Sequence, residues 1–94
     1  MRVVFRPDAE RVLDEVTDFI DGINIEGSGG LWADRLIAYI YTYALPNVTY
    51  ALCRDEDFAE AGLSCINYND WVIAFKIQDD LFVVHEIIRG NILA

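Results

Sequence analysis

Trp71-Val72-Ile73-Ala74-Phe75-Lys76-Ile77-Gln78, then Asp79-Asp80, then Leu81-Phe82-Val83-Val84-His85-Glu86-Ile87-Ile88 is the stretch on which the fold turns. Two runs rich in β-branched and aromatic residues flank a pair of turn-forming acids. The sequence therefore predicts a β-hairpin with a two-residue turn, in which Gln78 faces Leu81. Side chains alternate between faces as one counts outward from that turn. One face carries Trp71, Ile73, Phe75, Ile77, Phe82, Val84 and Ile88, with Glu86 as the exception, and it must cover a core. The other carries Val72, Ala74, Lys76, Val83, His85, Ile87 and Arg89, with Ala74 opposite His85 and Lys76 opposite Val83.

Working outward, Leu63 to Tyr68 reads as a further strand joined by an Asn69-Asp70 turn, which makes the last third a β-meander. Residues 46–63 are less regular. Asn47 to Cys53 reads as extended, and Asp55 to Ala61 as a short helical turn ended by Gly62. Helix 2 is expected over 29–45, with Leu31, Trp32, Leu36, Tyr39, Ile40 and Tyr43 as its apolar face and Pro46 as its stop. Gly27, Gly29 and Gly30 lie in a loop with neither a Walker lysine nor a GxGxxG pattern. They read as a connection between helices, with Ser28 as a cap.

Helix 1 is expected over 8–22. Val12, Leu13, Val16, Phe19, Ile20 and Ile23 form one helical stripe, and Asp8 is the expected cap. Asp14, Asp18 and Asp21 lie off that stripe and read as solvated acids rather than metal ligands. Residues 2–6 read as a first strand.

Sixteen acids against seven bases leave a net charge of −9. Such a field repels nucleic acid and favours a basic partner, or simply keeps the chain soluble. No secretory signal opens the chain, and no apolar run approaches the ~20 residues of a membrane span. The expectation is a cytoplasmic protein, with Cys53 and Cys65 as reduced, small hydrophobic side chains. Nothing in the sequence calls for a cofactor.

In so acidic a chain, three of its eight Lys, Arg and His residues on one face of the hairpin stand out. Lys76, His85 and Arg89 are the candidate catalytic residues. Lys76 and Arg89 would hold a phosphate, and His85 would move a proton near neutral pH. The plain alternative is an ordinary strand histidine beside two solvated bases.

Strand, helix, helix and meander, in that order, resemble the RelE/ParE toxin superfamily of bacterial toxin–antitoxin modules. The likeness is carried by Val3-Val4-Phe5-Arg6-Pro7-Asp8-Ala9-Glu10, Phe19-Ile20, Leu45-Pro46, Trp71 to Ile77, and Val83 to Gly90. It implies one RelE/ParE-like α+β domain over residues 1–94: an N-terminal strand and a two-helix hairpin packed on an antiparallel meander. The implied function is a toxin of the plasmid-stabilisation type, acting by ribosome-dependent cleavage of messenger RNA or by inhibition of DNA gyrase. A cognate antitoxin would be its partner. Lys76 and Arg89 fall on the family's functional positions, whereas His85 is a candidate from the residues alone. The sequence departs from the family pattern in its acidity and in the lack of a base in Ser64 to Tyr68. It departs again at the closing motif, where Arg89 and Asn91 replace a histidine and an arginine. With four residues after Gly90, little tail is expected to supply a catalytic His or Tyr, and this counts against RNA cleavage. The alternative is a non-enzymatic, acidic interaction module on the same scaffold, binding a protein or forming a homodimer.

Overall fold

A computed structural model describes residues 1–90; Asn91, where the closing motif departs from the family pattern, lies outside them. The elements are β1 (Arg2–Phe5), α1 (Pro7–Ile23), α2 (Ser28–Tyr41), α3 (Glu56–Glu60), β2 (Ser64–Tyr68), β3 (Trp71–Gln78) and β4 (Leu81–Arg89). This is the expected α+β arrangement. The strands form one sheet in the order β1-β4-β3-β2, antiparallel except that β1 runs parallel to β4. Val3 and Phe5 thereby join Leu36, Ile40, Ile73, Phe75, Phe82 and Val84 in the core between the sheet and the α1–α2 pair. Phe75 and Phe82 stack at its centre, with ring centroids 4.2 Å apart. No helix among the described residues is long and apolar enough to cross a membrane.

The turn is as expected. Gln78 faces Leu81, and Asp79 and Asp80 both take positive φ, 53° and 61°. This is the left-handed pair that a type I′ hairpin turn needs. The register is not as expected beyond Val84. Phe75 pairs with Val84 and Ala74 with Glu86, so His85 is an extra residue bulged out of β4. The bulge shifts Glu86 to the second face, away from the helices. It brings Ile87 into the core at 2% exposure and turns Arg89 toward Trp71. Strict alternation would have buried Glu86, and an unpaired carboxylate in an apolar core costs more than an unpaired neutral polar group, several kcal/mol even after relaxation. One extra residue avoids that cost, which explains why Glu86 broke the apolar pattern.

Helix ends also differ from expectation. Arg6, not Asp8, is the N-cap of α1, because Pro7 takes the first helical position, where its missing N–H costs nothing. Gly27 rather than Ser28 caps α2, without a side-chain bond. Asp21 supplies the missing acceptor: its Oδ1 receives the N–H groups of Gly27 and Gly29, at 3.2 and 2.7 Å. It is therefore no free acid. Phe19 and Ile23, expected in the helix 1 stripe, are 65% and 64% exposed.

Residues 46–63 wrap the β2 edge as a strap. Tyr50 packs edge-on against Phe75 on the helix side, donates from its hydroxyl to Tyr43 O, and accepts from Ser64 Oγ at its own carbonyl. The chain then crosses to the second face, where Cys53 N–H donates to Leu63 O. Cys53 and Cys65 form a disulfide there, with Cα atoms 5.0 Å apart. This corrects the expectation of two separate thiols: the strap folds Cys53 back onto β2. As expected, α3 is a single helical turn, capped by Asp55 accepting from Phe58 N–H, with Gly62 left-handed beyond it.

Two substitutions test these constraints. A Cβ at buried Gly29 would lie 2.1 Å from Thr17 O on α1. Gly29→Ala should therefore cost at least about 2 kcal/mol in denaturant titrations, because the helices must separate. Asp80→Gly should stabilise by about 0.5–1 kcal/mol and raise Tm by a few degrees, by removing a strained left-handed side chain.

Candidate functional site

The sheet places two of the three predicted residues together and adds one that the sequence reading missed. Lys76 follows Phe75 on β3 and so points away from the core, into solvent. His85 occupies the bulge on the neighbouring strand. Arg6 leaves β1 with its backbone N–H donating to Val84 O at 2.9 Å, which sets it beside His85. His85 is half-buried, and its pKa is lowered first by that burial and then by the positive charges of Arg6 and Lys76. The imidazole thus favours its uncharged form more than a free histidine does, with Arg6 and Lys76 beside it.

This arrangement suits an anion. Arg6 and Lys76 supply charge and donors to phosphate oxygens, and a neutral imidazole can accept a proton from a hydroxyl held beside them. An open hollow of about 300 Å³ adjoins Lys76 where β2 begins, walled by Tyr50, Leu52, Ser64, Phe75 and Ile77. On the same side, the strap comes back to Lys76: a Cβ at Gly62 would stand 3.5 Å from Nζ. Among the described residues, no three His, Cys, Asp or Glu side chains converge as metal ligands.

Arg89 lies apart from this set. Its guanidinium sits 5.9 Å from the centre of the Trp71 ring, on the helix side. There it edges a second hollow of about 250 Å³, lined by Val16, Phe19, Ile20, Trp32 and Trp71, with Glu15 on the rim. Trp32 and Trp71 meet edge to face at 5.8 Å, so the floor is aromatic. The bulge is what parts Arg89 from Lys76. Arg6 was missed because its place depends on the parallel β1–β4 pairing, and no local pattern reports a partner some eighty residues away. The Arg6-Pro7 junction marked only where the strand stops.

The chain matches no protein-family model, and no curated protein matches it.

His85 is the chain's one histidine, so its ring protons can be followed by NMR without assignment by mutation. Its titration midpoint should fall below 6.5 and move upward in Arg6→Gln and in Lys76→Met. Because the folded pKa is the lower one, the unfolded chain binds the proton more readily. The histidine's contribution to stability is therefore present above pH 6.5 and lost as pH falls through the folded midpoint.

Proposed function

We infer that this chain is the toxin-like component of a bacterial toxin–antitoxin module of the RelE/ParE kind, acting in the cytoplasm on an anionic target through the second face of its sheet. The observation that carries the reading is the convergence of two basic side chains, Arg6 and Lys76, on His85 at the second face of the sheet, in a protein with a net charge of −9. The order of strand, helix pair and meander supports it, as does Lys76 on the central hairpin strand, where the resemblance expects a functional base. Messenger RNA at the ribosome is the target whose phosphates suit these groups. His85 would take the proton of the attacking 2′-hydroxyl while Arg6 and Lys76 neutralise the charge that gathers on the phosphate. Each lost phosphate contact should cost about 1.5–3 kcal/mol. A cognate antitoxin would neutralise the protein.

A second reading, the non-enzymatic interaction module, is favoured by the position of Arg89. It lies with Trp32, Trp71 and exposed Phe19 in an apolar hollow, not with the other bases. Such a hollow suits an apolar side chain of a protein partner or of a second copy.

Growth of a bacterial culture after induction separates the two readings. Arrest by the wild type, relieved by Arg6→Ala/Lys76→Ala and retained in Arg89→Ala, is the expected result. Normal growth with folded, well-expressed wild type would select the interaction module.

A further inference from the structure

The strap that Cys53 and Cys65 close is also the most acidic stretch of the second face. Between the cysteines lie Asp55, Glu56, Asp57 and Glu60 against the single base Arg54. α3 is a single turn, tied to the start of β2 by the Leu63 N–H donating to Phe58 O. Phe58 and Leu63 meet Cys53, Cys65 and Ala74 in a small apolar cluster, separate from the main core. Beyond that cluster, the disulfide fastens the strap to the sheet. Gly62, two residues after Glu60, rests against the ammonium end of Lys76. The strap thus brings a segment rich in carboxylates back to Lys76, and its negative charge opposes an incoming anion there.

We propose that Cys53–Cys65 is a reversible thiol–disulfide site, and that reducing it releases the acidic strap and unmasks the Arg6–Lys76–His85 face. The inference rests on the functional reading above and gives its regulation. Cys65 is the more exposed cysteine, Cys53 being 6% exposed, so an external thiolate attacks Sγ of Cys65. The S–S bond breaks, Cys53 leaves as a thiolate and takes up a proton, and a mixed disulfide forms on Cys65. A second thiol attacks the external sulfur of that mixed disulfide and frees Cys65. In total, two thiols of the glutathione class are oxidised to their disulfide and the protein disulfide is reduced to two thiols. A disulfide exposed to a reducing cytoplasm is of the kind that serves as a transient sensor. The state of the bond then decides whether the face is masked.

Limited trypsin digestion of the wild type, oxidised and after treatment with dithiothreitol, reports on the strap through Arg54. Cleavage there should accelerate about tenfold on reduction, while Arg11 and Arg35 in the helices stay protected. Equal rates at Arg54 would overturn the proposal, and so would cleavage throughout the chain, which means that the whole fold opens. Binding of a short fluorescent single-stranded RNA reports on the face. Reduction should tighten it at least about threefold at low salt. The variant Glu56→Gln/Asp57→Asn/Glu60→Gln, with its disulfide intact, should show a similar gain without any thiol. Unchanged affinity in both would overturn the masking role. If neither form binds RNA, the functional reading and the masking that rests on it fall together, whereas digestion at Arg54 still decides whether the strap is redox-gated.

Discussion

The register of the β3–β4 hairpin is the constraint from which the rest follows. It is pinned at one end by the Asp79-Asp80 turn, whose two left-handed residues impose the strand twist. It is held in the middle by the Phe75–Phe82 stack and interrupted by the bulge at His85. Five residues after the turn, that one extra residue exchanges the two faces of β4. Ile87 enters the core, Glu86 leaves it, Arg89 is handed to the tryptophans, and His85 is left beside Arg6 and Lys76. A hairpin without the bulge would have grouped three bases on one face at the expense of a buried carboxylate.

The helices are fitted to this sheet by close approach. Gly29 lets the start of α2 touch the backbone of α1 at Thr17, and Asp21 of α1 accepts the free N–H groups of α2 at the same place. One residue supplies room and the other an acceptor, so the two helices are locked to each other where they meet. From the far end of α2, Tyr43 and Tyr50 continue the aromatic packing into Phe75. The strap is therefore anchored to the core on one side of the sheet and to the disulfide on the other.

The charge distribution follows from the same geometry. Most acids sit on helix surfaces, turns and the strap, where water solvates them at little cost, and Glu86 lies on the second face of the sheet. The bases that survive on the sheet's second face come from two strands that lie far apart in sequence and converge through the sheet order. A protein with a net charge of −9 can thus carry a locally cationic surface, and the acidic strap lies across its border.

The sequence by itself determined the element order, the α+β class, the Asp79-Asp80 turn and Gln78–Leu81 pairing, the single turn of α3, and the inward side of β3. Each of these is encoded locally: in an apolar period, a turn dipeptide or a short capping pattern. It also placed Lys76 and His85 on the face away from the core. Tertiary structure alone decided the parallel docking of β1, and with it Arg6. It also decided the bulge that removes Arg89, the closure of Cys53 on Cys65, and the exposure of Phe19 and Ile23. These depend on which distant segments meet and on the energetic preference for keeping Glu86 in water. A reading that proceeds residue by residue has no access to those balances, since they are struck between segments that touch only after the chain has folded.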